Sequence, residues 1–128
     1  MKVAVAIIVD AQQRILITQR PLHLPHGGCW EFPGGKLEAN ELAEEALVRE
    51  IREEVGIEAN EYQFLGEVKY QYPEKYVELF IFLVTQFSGV ASRLEEQMDM
   101  KWIKREALNS EYFLEANRQV IDLIPVLV

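Results

Sequence analysis

Apolar and polar positions along the chain sort into strand and helix periods with clear boundaries. Val3 to Val9 is a continuous β-branched and apolar run, which predicts a strand covered on both faces. Asp10 to Arg14 is a polar turn, and Ile15 to Gln19 predicts a returning strand. Arg20 to Gly28 carries two prolines and two glycines and predicts a loop. A short apolar stretch at Trp30 and Phe32 ends at Pro33-Gly34-Gly35, which predicts a turn. The period then changes. Ala43, Ala46, Leu47, Ile51 and Val55 share one face at helical spacing. Asn40 is a candidate N-cap, Glu41, Glu44 and Glu45 suit the positive end of a helix, and Gly56 followed by Ile57 suits its end. Together they predict a helix over Glu41 to Val55.

Two longer strands are expected at about Gln63 to Tyr72 and Tyr76 to Phe87, joined at Pro73-Glu74, and another at Met100 to Ile103. Short helices are expected near Lys104 to Asn109 and Ala116 to Ile124, the second stopped by Pro125. Tyr70, Tyr72 and Tyr76 flank a turn and read as cross-strand pairs, and Trp30 and Trp102 as packing residues. The order is mixed α/β and lacks the regular βαβ repeats of a dinucleotide-binding sheet. With no linker, repeat or low-complexity segment, residues 1–128 are expected to form one domain.

The composition, 49% hydrophobic and 27% charged, is that of a soluble globular chain. The formal net charge of -8 disfavours a nucleic-acid polymer or an anionic membrane as partner. It equally repels a small polyanion, unless a cation stands between the two. Cys29 is the only cysteine, which excludes an internal disulfide and suits a reducing compartment. Only His23 and His26 lie nearby as bases for a thiol, and Cys29 reads as a packing residue. The apolar N-terminal run is too short to span a bilayer and lacks a small-residue cleavage site, so a cytoplasmic protein is expected.

The helix holds the candidate chemistry. Glu50, Glu53 and Glu54 fall within an arc of about 100° that borders the apolar face. Glu50 and Glu54, one turn apart, repel by a few tenths of a kcal/mol, roughly. Taken alone, such a charge run reads as a solvated face with i,i+4 ion pairs. It acquires a second reading from the loop before it, where Glu31-Phe32-Pro33-Gly34-Gly35-Lys36 offers glycine backbone able to approach a ligand. Acids crowded there suit Mg²⁺, a hard cation that bridges carboxylates to phosphate oxygens.

Gly35, then Glu41, then Arg49-Glu50-Ile51, then Glu53-Glu54, then Gly56-Ile57 are spaced as in the Nudix box, with all nine specified positions matched. The chain therefore resembles the Nudix hydrolases. That resemblance implies an α/β/α sandwich with a mixed β-sheet between helices. It implies that Glu50, Glu53 and Glu54, with the carbonyl of Gly34, hold Mg²⁺ or, in its place, Mn²⁺. It gives Glu50, Glu53 and Arg49 catalytic roles: one glutamate orients or deprotonates the attacking water, and Arg49 pairs with a helix acid. Glu41 is implied to be supportive and, on a helical wheel, to point away from Glu50. The implied reaction splits a nucleoside triphosphate into monophosphate and pyrophosphate.

Three further segments resemble the MutT-like branch of that family, which removes oxidised guanine nucleotides: Ile17 to Arg20, Trp30 to Lys36, and Ala116-Asn117 with Val120-Ile121. The resemblance implies that Arg20, Phe32 and Asn117 contact the nucleotide, that the backbone of Glu31, Phe32, Pro33 and Gly34 lines the site, and that Glu96 is a late metal ligand or base. Read singly, these residues have plainer roles: Asn117 as a helix N-cap, Phe32 as core, Arg20 as surface. A histidine expected after Arg20 falls on Pro25, beside His26. The implied partner is a small nucleotide handled by a monomer. The box and the Gln19-Arg20-Pro21 and Trp30-Glu31-Phe32 segments are also shared with enzymes of the family that act on CTP and modified cytosine nucleotides. A non-catalytic nucleotide sensor is a third reading, opposed by the presence of every box acid.

Overall fold

The computed structural model describes residues 1–127. At its centre runs β1 (Lys2–Ile8), paired in parallel with β6 (Tyr76–Ser88) and antiparallel with β4 (Gly34–Lys36). β5 (Glu58–Gln71) adds to the far side of β6, giving the order β4-β1-β6-β5. A second sheet has the order β3-β2-β7, built from β3 (Trp30–Glu31), β2 (Arg14–Gln19) and β7 (Asp99–Lys104). The two helices are α1 (Ala43–Val55) and α2 (Glu115–Ile121). No helix among the described residues is long and apolar enough to cross a membrane.

Strand alternation explains the layers. Ala4, Ala6 and Ile8 of β1, with Leu16, Phe82 and Val84, pack against Ala46, Leu47, Ile51 and Val55 of α1. Val5 and Ile7, with Ile15, Ile17, Ile81 and Leu83, face the opposite way, toward Ala116 and Val120 of α2. The apolar run in β1 thus belongs to two cores at once, and the sheets lie between the helices as an α/β/α sandwich. Trp102 stacks on Phe87 with ring centroids 6.0 Å apart, and Lys101 lies 4.5 Å above Trp30, so both tryptophans pack.

Several local expectations are corrected. Gly34 does not sit in a turn: it opens β4, opposite Val5. A Cβ there would stand 2.0 Å from the carbonyl oxygen of Ala4, so close strand pairing rather than turn geometry requires the glycine. α1 starts at Ala43 with Leu42 as its N-cap, and Asn40 takes a left-handed φ of 64°. The Glu45 carboxylate accepts from the Leu42 N–H at 2.8 Å and satisfies an otherwise free donor. At the other end Gly56, φ 73°, donates back to the Arg52 carbonyl and the Ile57 N–H to that of Ile51, as the sequence predicts.

β5 begins at Glu58, not Gln63. Its pairing with β6 shifts register three times between Ala59 and Gly66, and its exposed Asn60–Phe64 stretch buries no alternating face that the sequence could display. Tyr70 faces Val77 and Tyr76 faces Gln71 across this ladder; the close tyrosine pair is instead Tyr70 with Tyr72, the residue just after β5. The helix expected after β7 resolves into two 3-10 turns, Arg105–Ala107 and Ser110–Tyr112, because the Asn109 side chain accepts from the Glu111 N–H and restarts the chain there.

Arg49 fastens the segment ahead of α1. Its guanidinium donates to both carboxylate oxygens of Glu41, at 2.8 and 2.9 Å, and to the Lys36 carbonyl at 3.0 Å. The bidentate pair holds the Glu41 carboxyl at about 2, below its ordinary 4.5. A depressed carboxyl stabilises the fold above its unfolded value and loses that contribution as pH falls toward its folded one. The stability gap between wild type and Glu41→Gln is therefore expected to be full at pH 7, to persist to about pH 4.5, and to close by about pH 2 in parallel thermal melts. Gly34→Ala is expected to lose about 1–3 kcal/mol in urea unfolding, since the added methyl meets backbone that cannot yield.

Candidate active site

The acids of α1 meet the glycines of β4 along one seam. Glu54 is half-buried, and its Oε2 accepts from the Gly34 N–H at 3.2 Å. Burial pushes its carboxyl well above the ordinary range; the Gly34 N–H opposes this, and the charges of Glu31, Glu50 and Glu95 add to it. Glu50 lies 15% exposed against Gly35, where an added Cβ would fall 2.3 Å from its carboxyl carbon. Gly35 thus leaves the space that the Glu50 carboxylate fills. Burial raises the Glu50 carboxyl, Arg49 opposes this, and the charges of Glu53 and Glu95 reinforce it.

Arg49 Nη1 donates to Glu50 at 2.7 Å and to Glu53 at 3.4 Å. The same guanidinium holds Glu41, so Glu41 does not point away from Glu50: one arginine joins the two. Glu53 is the outermost of the three acids, 53% exposed. Among the described residues, no three acidic or histidine side chains converge tightly enough to form a ready metal cage. The donor set nevertheless fits a hard cation. It is all oxygen, and two of its carboxylates, Glu50 and Glu54, are destabilised in their charged form by burial and by neighbouring carboxylates.

The chain from Gly89 to Met98 is tied to the end of α1. Ser92 N–H donates to the Val55 carbonyl, and Leu94 N–H and the Gln97 side chain both donate to that of Glu54. This anchoring brings Glu95 close enough for its charge to act on Glu50 and Glu54. Glu96, the late acid expected from the sequence, turns instead to His23, 3.1 Å away and in solvent.

Beside the seam opens a cavity of about 220 Å³. Its walls include Gly34, Gly35 and Glu54 of the seam together with Phe32 and Asn117. Asn117 is only 7% exposed and lies in the first turn of α2, whose N-cap is Leu114, so it caps nothing. Its Oδ1 faces the Phe32 N–H at 3.4 Å. Phe32 is both core and wall: its ring stacks on Phe113 at 5.2 Å. Arg20 is not a free surface residue. It donates to Glu31 at 3.2 Å and to the Pro25 carbonyl at 3.1 Å, and both partners of the ion pair line the cavity. Burial raises the Glu31 carboxyl, with Arg20 opposing. Pro33 is buried, and its carbonyl accepts from Ala6 at 2.8 Å.

Sequence reasoning missed His26, Tyr72 and Lys75 as walls of this cavity. His26 lies 2.8 Å from Glu74 and 5.0 Å from the Tyr72 ring, joining the loop after β2 to the β5–β6 turn. No spacing rule links residues so far apart; only the left-handed His26, φ 60°, hinted at a built loop, and that is visible only in three dimensions.

The NUDIX domain family model matches residues 1–124. The 8-oxo-dGTP diphosphatase of Escherichia coli (strain K12) is 35% identical over 121 residues, covering 94% of this chain and 93% of that protein. The CTP pyrophosphohydrolase of the same organism is 36% identical over 104 residues, covering 81% and 77%. The crystal structure of the MutT NUDIX hydrolase from Burkholderia pseudomallei superposes with a TM-score of 0.87 at 28% identity and covers 97% of each chain. A box helix with its acids gathered at a glycine strand, on a fold shared end to end with a solved NUDIX hydrolase, places this chain in the Nudix family.

Proposed function

We propose that this protein is a divalent-cation-dependent pyrophosphohydrolase that converts 8-oxo-dGTP to 8-oxo-dGMP and pyrophosphate, acting in the cytoplasm as a monomer and thereby cleansing the nucleotide pool. The observation that carries the reading is a cavity whose walls include both Glu54 of the acid seam and the buried amide of Asn117. A nucleotide placed there presents phosphates to the acids and its base to the amide.

Glu50, Glu53 and Glu54, with the carbonyl of Gly34, are the residues to hold Mg²⁺ or Mn²⁺, and Glu95 is better placed than Glu96 to add a late ligand. When bound, the cation neutralises phosphate charge and lowers the pKa of a coordinated water. The chain's own groups do the rest. Arg49, fixed by Glu41, holds the Glu50 carboxylate in place. Glu53, the most exposed of the acids and touched only at 3.4 Å by Arg49, is the acid to take the proton of the attacking water. Arg20, drawn to Glu31, sits on the cavity wall with donors to spare for the nucleotide.

The base is distinguished by hydrogen-bond pattern. Guanine offers acceptors at O6 and N7, whereas its 8-oxo form carries hydrogen on N7. An amide has a donor and an acceptor and matches the oxidised edge at both. The long contact to Phe32 N–H leaves Oδ1 a second lone pair, and the Nδ2 hydrogens stay available. Facing ordinary guanine, Oδ1 meets the N7 lone pair, and a repelling contact in a closed site costs about 1–3 kcal/mol. A cytosine nucleotide is the second reading, favoured by the comparable likeness to the CTP pyrophosphohydrolase.

Pyrophosphate release from 8-oxo-dGTP, dGTP and CTP, with and without Mg²⁺, tests the assignment; a wild-type kcat/KM ratio near one for 8-oxo-dGTP over dGTP sinks it. Glu53→Gln and Glu54→Gln are each expected to lower kcat by about a hundredfold or more at saturating Mg²⁺ with the melting curve retained. Asn117→Ala is expected to collapse the 8-oxo-dGTP over dGTP ratio by about tenfold to a hundredfold while kcat on dGTP changes far less.

A further inference from the structure

We infer that Tyr72 is a positioning residue for base recognition: its hydroxyl, reaching from the residue just after β5, caps the first turn of α2 and so holds Asn117 in place against Phe32. The inference rests on the reading of Asn117 as the base contact.

α2 spans only seven residues, too short to hold itself by helix propensity. Its own N-cap is Leu114, a residue with no acceptor, and no side chain of the helix caps it. The buried N–H of Ala116 donates instead to the Tyr72 hydroxyl, 2.9 Å away and 44 residues earlier in the chain. Tyr72 is 3% exposed. Two residues back, near the end of β5, the Tyr70 hydroxyl donates to the Glu115 carboxylate in the same turn. The two rings contact at 4.7 Å, so both polar tips grip one helix end. Burial keeps the Tyr72 hydroxyl above its ordinary 10.0, hence neutral and accepting at working pH.

Asn117 follows Ala116 directly. Its backbone is therefore placed by the tyrosine cap, and its side chain by the 3.4 Å contact to Phe32. Without the hydroxyl, the Ala116 N–H is buried with no partner, a state that drives the turn to shift toward water. Such a shift moves the amide off the base while leaving α1 and its acids, on the other face of the sheets, untouched. A phenylalanine at position 72 keeps the ring packing and loses only this bond.

The test uses the nucleotide that wild type prefers in the panel above, so a failed oxidised-guanine assignment shows in the wild-type ratio and leaves this inference open to its own result. Tyr72→Phe is expected to raise KM about tenfold with kcat within about twofold, and to speed hydrogen exchange at the Ala116 amide. In an Asn117→Ala background the same change is expected to have almost no effect on kcat/KM. Leu114→Ser added to Tyr72→Phe supplies a local acceptor and is expected to restore both the amide protection and KM. Additive effects of Tyr72→Phe and Asn117→Ala overturn the proposal. So does unchanged exchange at Ala116, or a serine that restores protection without restoring KM.

Discussion

Everything near the site depends on a crowd of carboxylates pressed against backbone. Glu54 is held beneath β4 by the Gly34 N–H, Glu50 fills the space left by Gly35, and both are pushed toward protonation by burial. A structure of this size has no reason to assemble such repulsion for stability, since like charges in a half-buried seam cost free energy. The fold contains it with one cation of its own, Arg49, which meets Glu41, Glu50 and Glu53 at once. That arrangement leaves more carboxylates than cations along the seam, with Glu54 on the cavity wall, and a divalent cation is the natural complement. The acidic balance of the whole chain, which repels a triphosphate, becomes intelligible on the same terms.

The sandwich is what allows the two halves of the site to be tuned separately. β1 gives Ala4, Ala6 and Ile8 to the α1 core and Val5 and Ile7 to the α2 core. The acids ride on α1, and Asn117 rides on α2, with Phe32 and Gly34 between them. Chemistry and recognition thus answer to different cores, so a change on one side can alter substrate choice without dismantling the acid seam.

The loops carry a related division of labour. The stretch after β6 is anchored by three hydrogen bonds to the last carbonyls of α1, which fixes Glu95 beside the acids and leaves Glu96 in solvent with His23. The loop after β2 is fastened by Arg20 to the Pro25 carbonyl and by His26 to Glu74. Backbone-anchored loops of this kind bring charged side chains to a site while the scaffold beneath keeps its packing.

Read alone, the sequence determined the helix, its face and its end at Gly56, the two-sided burial of β1, and the box that marks the family. Each is a local pattern: a 3.6 period, an unbroken apolar run, a left-handed glycine, fixed spacing within one element. It also pointed to Asn117, Phe32 and Arg20, yet each had a plainer alternative as cap, core or surface residue, and only the folded chain chose. Burial of Asn117 beside Phe32, the Arg20–Glu31 pair in the cavity wall and the tyrosine cap on α2 all join residues distant in the chain. The strand at Gly34, read locally as a turn, was decided by its pairing with β1; the start of β5, on an exposed edge with shifting register, left no periodic trace; and the late acid depended on how a loop is tied to α1. Local rules record what a residue does to its neighbours within a turn or a strand, whereas a site is made where elements cross, and the crossing is fixed by the packing of two cores.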